Sequence, residues 1–133
     1  MLEGTSTREH LNHLGLKILK ASIDVHSEMG PGLLESIYQH CMIKELRLRG
    51  VAVDQNVPVP LSYKGEVLNK EYVIDLLVEN EIVIELKAVD GILPVHEAQL
   101  LSYLKLANKR LGYLINFNVP LIKEGFHRYV NGF

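Results

Sequence analysis

The stretch that decides the fold is Tyr72–Lys87, which reads Tyr-Val-Ile-Asp-Leu-Leu-Val-Glu-Asn-Glu-Ile-Val-Ile-Glu-Leu-Lys. Two runs rich in valine, isoleucine and leucine flank the polar residues 79–81, which is typical of a β-hairpin with a three-residue loop. Pairing residues across that loop gives one wholly apolar side, and a shift by one residue would mix the two sides. The pattern predicts these facing pairs: Val78 with Ile82, Leu77 with Val83, Leu76 with Ile84, Asp75 with Glu85, Ile74 with Leu86, Val73 with Lys87 and Tyr72 with Ala88.

The predicted hairpin places two acids opposite each other, which is unfavourable on a sheet face. Asp75 faces Glu85, and Lys87 lies two residues further on the same side, since side chains alternate along a strand. One interpretation is a solvent-exposed face with a weak ion pair, because antiparallel sheets often have one wet face. The other is a divalent-metal site, because Mg²⁺ and Mn²⁺ bind carboxylate oxygens, water and phosphate. The hairpin alone leaves both open.

Composition predicts a single domain over residues 1–133, since the chain is long enough and apolar enough to bury a core without disulfides. A net charge of −2 argues against a strong non-specific nucleic-acid binder, although it leaves room for a local basic groove. The single cysteine, Cys41, excludes an intramolecular disulfide and fits a reducing compartment. The sequence shows no apolar run long enough to span a membrane and no signal-peptide core at its polar N-terminus, so a cytoplasmic location is expected.

Two helices are predicted before the sheet. The first begins at a capping box of the S-x-x-E form at residues 6–9 and ends at Gly30-Pro31. The second runs from about Leu33 to Arg49. Apolar residues recur at steps of three and four and predict wide buried faces. For the first helix these are Leu11, Leu14, Ile18, Ala21 and Val25, with a second stripe of Leu16, Leu19 and Ile23; for the second they are Leu34, Ile37, Tyr38, Cys41 and Leu48.

From Val51 the apolar period changes to two, which predicts an extended segment, and Pro58 and Pro60 favour the edge of the sheet. After the hairpin, a helix is predicted from Pro94 to about Ala107, buried through Ala98, Leu101, Leu104 and Leu106. A buried strand over residues 111–117, reached by a parallel crossover, and a short edge strand over residues 126–130 complete the chain. The order of elements predicts an α/β fold with a central mixed sheet flanked by helices.

Three further groups of polar residues each have two interpretations. Glu35 sits in a first helical turn, where the helix dipole favours an anion, but it could also approach a metal. Gln99 and Tyr103 share a helix face, either as a polar edge or as groups that orient a nucleotide or a bound water. The last group favours a helix C-terminus and could also meet phosphates; it consists of Lys105, Lys109 and Arg110.

Together these residues resemble the PD-(D/E)XK nuclease superfamily. Asp75 followed by Glu85-Leu86-Lys87 resembles its D…E-x-K core, and Gln99-Leu-Leu-Ser-Tyr103 resembles the Q-x-x-x-Y motif of the RecB-like and lambda-exonuclease-like branch. Gly32-Leu-Leu-Glu35-Ser-Ile-Tyr38 looks like the signature of the small prokaryotic GxxExxY proteins. Two departures stand near Asp75: Ile74 replaces the proline of the superfamily name, and Val73 stands where a basic residue is expected.

The resemblance implies a restriction-endonuclease-like core and a metal-dependent nuclease. Asp75 and Glu85 would hold Mg²⁺ or Mn²⁺, with the Leu86 carbonyl as a further ligand and Glu35 contributing directly or through water. Lys87 would orient the attacking water or stabilise developing negative charge. Gln99 and Tyr103 would position the substrate or the water, and all these catalytic roles serve hydrolysis of a phosphodiester, in DNA rather than RNA.

The sequence leaves two other functions open and also predicts an assembly state. The chain could be a catalytically idle nucleic-acid-binding or assembly module, which its small size and weak charge favour but its intact acidic and basic core residues oppose. It could also act on a small phosphorylated molecule. A homodimer is predicted, since one small domain offers little surface to grip a duplex and the strand over residues 126–130 leaves an edge that invites pairing.

Overall fold

The computed structural model describes residues 6–133 and consists of a five-stranded mixed sheet with three helices. The strand order is β1-β2-β3-β4-β5, with β3 and β4 parallel and the other neighbours antiparallel. This confirms the predicted α/β architecture and the parallel crossover; the N-terminal residues behind the signal-peptide expectation lie partly outside the described range. The elements are α1 (Arg8–Met29), α2 (Glu35–Leu48), β1 (Val53–Tyr63), β2 (Glu66–Val78), β3 (Ile82–Lys87), α3 (Pro94–Leu106), β4 (Leu111–Asn116), a 3-10 turn (Ile122–Glu124) and β5 (Phe126–Val130).

The central hairpin has the predicted register next to its loop. Three apolar pairs form, namely Leu76 with Ile84, Leu77 with Val83 and Val78 with Ile82. The ladder then stops, so the predicted pairs further from the loop, including Asp75 with Glu85, do not form as backbone partners. Beyond that point β2 stays paired with β1, and β3 stays paired with β4. The two strands therefore stop pairing with each other beyond Leu76 and Ile84 and diverge.

The sheet has an apolar cluster on each face. The larger cluster packs α1 and α2 against the sheet and includes Leu76, Ile84 and Leu86. The smaller one lies under α3 and includes Ile74, Leu77 and Val83. Ile74 and Leu76 are two residues apart but belong to different clusters, so the prediction that they share one apolar side is wrong. The regular alternation of β2 is interrupted at Asp75, between them.

Helix packing differs from the prediction in which apolar residues are buried. In α1 the main stripe from Leu11 to Val25 is buried as predicted, but Leu16 and Ile23 of the second stripe are 48% and 44% exposed. In α2, Leu34 and Leu48 are exposed, although they were predicted to be core. Thr7, not Ser6, caps α1 by accepting a hydrogen bond from the His10 N–H at 3.0 Å.

Only two residues of α3, Leu100 and Leu104, are fully buried, whereas Leu101 and Leu106, predicted to be core, are exposed. The reason is the close approach of this helix to Gly112 on β4. A Cβ atom at Gly112 would lie 3.0 Å from Leu104 Cδ2, so the helix contacts the sheet through a narrow face. None of the helices within residues 6–133 is long and apolar enough to cross a membrane.

Candidate active site

The two acids of the hairpin meet at the point where β2 and β3 diverge. The Asp75 N–H donates to Glu85 Oε1 at 3.1 Å, and the Leu86 N–H donates to Asp75 Oδ2 at 2.8 Å. Each carboxyl group thus accepts a hydrogen bond from a backbone N–H that has no partner on a neighbouring strand. The prediction placed these acids opposite each other in a continuous ladder; instead, their side chains replace the ladder.

Burial dominates the electrostatics of this pair. Glu85 is 7% exposed, and burial together with the nearby charge of Asp75 raises its pKa to about 9. Burial also raises the pKa of Asp75. Its hydrogen bonds with Leu86 and Glu85 and the charge of Lys87 lower the pKa, but the effect of burial is larger. The pair therefore holds a proton at neutral pH when no cation is nearby. A divalent cation would replace that proton, so the chemistry of the two carboxyls fits a metal.

The ligand set supplied by the protein is small. Within the part of the chain that the structure describes, no three His, Cys, Asp or Glu side chains lie together. Glu35 is exposed in the first turn of α2, outside the Asp75 and Glu85 pair, so a contribution of Glu35 to a metal, directly or through water, stays a prediction. Mg²⁺ characteristically uses one or two carboxylates and completes its shell with water and substrate phosphate, which fits such a site.

Lys87 ends β3, two residues after Glu85. Its side chain is half-buried, and its positive charge lowers the pKa of both Asp75 and Glu85. Its carbonyl accepts a hydrogen bond from the Phe117 N–H at 3.0 Å, which ties the end of β3 to the chain leaving β4. Lys87 thus lies within electrostatic range of the acidic pair but forms no ion pair with Asp75 or Glu85, and its role stays a prediction.

Asn116, which the sequence analysis did not single out, fixes the loop that follows Lys87. It is 2% exposed and pairs with Lys87 in the parallel register. Its side chain accepts from the Val89 N–H at 3.1 Å and donates to the Val89 carbonyl at 2.8 Å. It also accepts from the Asn118 N–H at 3.2 Å. An asparagine closing an otherwise apolar buried strand was the only sequence signal for this role.

Tyr103 reaches the site from α3, on the opposite face of the sheet from α2. It packs against Tyr72, with ring centroids 4.7 Å apart and an interplanar angle of 57°. Burial contributes most to the raised pKa of Tyr103, and the negative charges of Glu85 and Asp75 add to it. Gln99 is exposed one turn earlier on α3. Tyr103 thus lies within electrostatic range of the acids, and Gln99 lies at the solvent side.

The Gly and Tyr of the segment Gly32–Tyr38 shape the loop before α2. Gly32 has φ of +92°, which favours glycine. The Tyr38 hydroxyl donates to the Gly30 carbonyl at 2.6 Å and accepts from the Leu33 N–H at 3.1 Å. The Tyr38 ring stacks on Phe117 at 4.4 Å. Gly32 thus serves the backbone conformation and Tyr38 the packing of this loop, and Glu35 is the exposed acid of the motif.

Gln39 is a second residue that the sequence analysis missed. It lies one turn after Glu35 on α2, and its Nε2 donates to the Asp75 carbonyl at 3.1 Å and to Asn56 Oδ1 at 3.0 Å. Its spacing of four residues from Glu35 is the only sequence signal, since it places both on one side of the helix.

The cations at the end of α3 do not join this site. Lys109 Nζ donates to the Asn80 carbonyl at 2.9 Å, and Arg110 donates to the Ser6 carbonyl. Both contacts lie near the start of β3 and β4, whereas Lys87 is at the end of β3, about 16 Å away at about 3.3 Å per residue. Lys109 and Arg110 therefore lie away from the acidic pair, and contact of Lys105, Lys109 and Arg110 with phosphates stays a prediction.

Comparisons with known proteins assign the family. The family model of the PD-(D/E)XK nuclease superfamily matches residues 12–129. The matched region contains the acidic pair, Lys87 and the α3 residues described above. Neither the comparison with curated proteins nor the comparison with solved structures found a match. With most of its length covered by the family model, the chain belongs to the PD-(D/E)XK nuclease superfamily.

Proposed function

We propose that this protein is a metal-dependent nuclease that hydrolyses phosphodiester bonds in DNA, in preference to RNA. Membership of the superfamily suggests a metal-dependent nuclease. The observation that carries the proposal is the pair formed by the partly buried Asp75 and the buried Glu85 where β2 and β3 stop pairing. Two carboxyls that hold a proton in place of a cation, with a lysine beside them, match the needs of phosphoryl chemistry.

In the proposed site, Asp75 and Glu85 hold Mg²⁺ or Mn²⁺, with the Leu86 carbonyl as a further ligand and Glu35 acting through water. The metal, when bound, supplies positive charge that activates a water molecule and neutralises phosphoryl oxygens. Support for this ligand set comes from the hydrogen bonds that join Asp75 to Glu85 and to Leu86, and from the place of Leu86 directly after Glu85 on β3.

The remaining residues act on the substrate and the water. Lys87 orients the attacking water or stabilises negative charge that develops on the phosphate. The raised pKa of Tyr103 keeps its phenol protonated, so we assign it a hydrogen-bond donor role toward the substrate. Gln99, one turn away and exposed, contacts the substrate further from the acids. Together these groups place the scissile phosphate between α3 and the end of β3.

We further propose that the chain belongs to the GxxExxY proteins of the RecB-like branch and forms a single nuclease domain over residues 1–133, in the cytoplasm of a prokaryote. Support comes from the positive φ of Gly32 and the loop contacts of Tyr38, which explain two of the three fixed positions of the motif.

A homodimer is also proposed. β5 ends the sheet at one edge, and α1 carries the exposed apolar side chains Leu16 and Ile23. Light scattering should give a dimer mass at micromolar concentration. A monomer mass across that range would overturn the assembly proposal without affecting the nuclease proposal.

One observation favours a second candidate function, a catalytically idle nucleic-acid-binding or assembly module. Glu35 stands apart from the acidic pair, so two carboxylates are the whole acidic set at the site within the described residues. Such a module would retain the nuclease fold and bind nucleic acid without cleaving it.

The experiment that separates the two functions is a cleavage assay with labelled single-stranded DNA, double-stranded DNA and RNA. Wild type should cleave DNA with Mn²⁺ and should lose activity in EDTA. Asp75→Asn, which keeps the shape but removes the charge, should be inactive with the metal present. Cleavage of no substrate by wild type, with binding retained, would favour the idle module.

A further inference from the structure

Two side chains form hydrogen bonds with the backbone of Asp75, which has no partner residue on β1 or β3. Its N–H donates to Glu85 Oε1 at 3.1 Å, and its carbonyl accepts from Gln39 Nε2 at 3.1 Å. A regular strand residue has a partner residue on the neighbouring strand and forms its hydrogen bonds in the backbone ladder. Glu85 and Gln39 therefore bind the backbone of Asp75 at the point where regular pairing fails.

The strand opposite Asp75 is distorted at the same level. On β1 and β2, Gln55 pairs with Leu76 and Val57 pairs with Ile74, but Asn56 and Asp75 between them do not pair. Asn56 has φ of +52°, in the left-handed region that few non-glycine residues adopt. Its Oδ1 accepts from the same Gln39 Nε2 at 3.0 Å. One amide group on α2 thus binds both distorted residues.

The distortion turns the Asp75 carboxylate toward β3. Ile74 and Leu76 lie on opposite faces of the sheet, so the side-chain direction changes across Asp75. With that change, Asp75 Oδ2 reaches the Leu86 N–H at 2.8 Å. A regular strand would keep Ile74 and Leu76 on one face and would keep Asp75 in the ladder.

We infer that Gln39 is a positioning residue whose amide, braced by Asn56, holds Asp75 in the orientation that pairs its carboxylate with Glu85. The metal-binding purpose of this orientation rests on the proposed function, whereas the clamp itself rests on the contacts above. Gln39 lies one turn from Glu35, so the same clamp sets the position of Glu35 along α2 relative to Asp75.

The rival explanation is that Gln39 merely attaches α2 to the sheet. That attachment is already supplied by Tyr38, Met42 and Leu46, which are fully buried on α2. Gln39 itself is only half-buried and adds little apolar contact. A role limited to attachment would therefore affect stability, whereas a clamp would affect Asp75 locally.

The test uses the full chain with two measurements. Amide hydrogen exchange by NMR, in metal-free protein, reports the Asp75 and Leu86 N–H bonds, with the Val83 amide on the regular part of β3 as an internal reference. Calorimetric titration with Mn²⁺ reports the site. Gln39→Met keeps the length but removes the donor, Gln39→Glu presents an acceptor to the Asp75 carbonyl, and His40→Ala on the exposed side of α2 is the control.

Gln39→Met should speed exchange at Asp75 and Leu86 but not at Val83, and should weaken Mn²⁺ binding by about 10-fold to 100-fold, as outer-shell substitutions typically do. Gln39→Glu should weaken it at least as much, and His40→Ala should change neither. Should Gln39→Met not fold, Asn56→Gly, which tolerates the positive φ but lacks the brace, should show a smaller change in the same direction.

Unchanged exchange at Asp75 and Leu86 in Gln39→Met would overturn the clamp, and so would a fall in overall stability with Mn²⁺ affinity intact. If wild type binds no Mn²⁺, the proposed function fails, and the exchange rates at Asp75 and Leu86 decide the clamp alone.

Discussion

The two ends of the β2–β3 hairpin are built from the same two strands but have different roles. Next to the loop, Leu76, Leu77 and Val78 pair regularly with β3 and are buried on both faces of the sheet. One residue further on, at Asp75, the ladder stops and carboxyl groups take over the backbone donors. The regular end stabilises the hairpin, and the divergent end creates a buried acidic site.

The two ends of the hairpin also have opposite energetic requirements. Apolar pairs gain stability from burial in an unbroken ladder. Buried like charges lose stability unless a proton or a cation compensates them. Leu76 belongs to the regular ladder, whereas the neighbouring Asp75 belongs to the acidic site. Substitutions at these two positions should therefore have different consequences.

The largest effect is expected at the regular end. Leu76→Ala removes a fully buried side chain and should lower the free energy of unfolding by about 2–5 kcal/mol. Urea unfolding in EDTA measures the loss. Because the acids lie outside the regular ladder, the folded fraction should keep its Mn²⁺ affinity. A large fall in affinity per folded molecule would show that the two ends are not independent.

The next effect is expected at the divergent end, on turnover. Lys87→Ala should reduce the cleavage rate of labelled DNA under saturating Mn²⁺ by roughly 10²-fold or more, as the loss of other electrostatic stabilisers does. Metal binding should survive, because an ammonium is not a ligand. Lys87→Arg should restore activity only in part, since a planar guanidinium does not reproduce a point charge.

The control for Lys87 is Lys20→Ala, which removes an exposed cation on α1 and should leave the rate unchanged. Equal rates for wild type and Lys87→Ala would contradict the catalytic role of Lys87.

The last of these effects concerns pH. The folded, metal-free protein keeps a proton on Glu85 up to about pH 9, whereas the unfolded chain releases it near the ordinary value of 4.5. In that window the folded state binds more protons, so stability falls as pH rises. The raised pKa of Asp75 acts in the same direction.

Glu85→Gln removes this titration, so its stability relative to wild type should increase from about pH 5 to about pH 9 in EDTA. Urea unfolding of both proteins across that range checks the trend, and saturating Mn²⁺ should flatten the profile of wild type. Parallel pH profiles in EDTA would contradict the buried state of Glu85.

The strands and the hairpin register were predictable because branched apolar residues alternate around a short polar loop. Pro58 and Pro60 likewise marked the sheet edge that β1 occupies. The point of divergence was not predictable, since the pairing rule assumes a backbone partner for every N–H. At Asp75 and Glu85 the partners are carboxyl oxygens, and nothing in the residue pattern distinguishes that case from a continuous ladder.

Helix faces and supporting residues were harder to predict for a different reason. α3 has apolar residues on several sides, and the close approach to Gly112 selects Leu100 and Leu104. The spacing and the motifs indicated Asp75, Glu85, Lys87 and Tyr103. Lys87 and Tyr103 lie within electrostatic range of the two acids, and the roles of all four stay predictions. Gln39 and Asn116 act through bonds from side-chain amides to backbone groups, which leave no periodic pattern in a sequence.

The most direct test of the divergent end is calorimetric titration of Mn²⁺ into wild type and Asp75→Ala, with Leu76→Ala as the matched variant from the regular end. Wild type and folded Leu76→Ala should bind one Mn²⁺ per chain with similar affinity. Asp75→Ala should bind at least about 10-fold more weakly, because one of two carboxylate ligands is gone. Equal affinity of wild type and Asp75→Ala would contradict a metal site at the Asp75 and Glu85 pair.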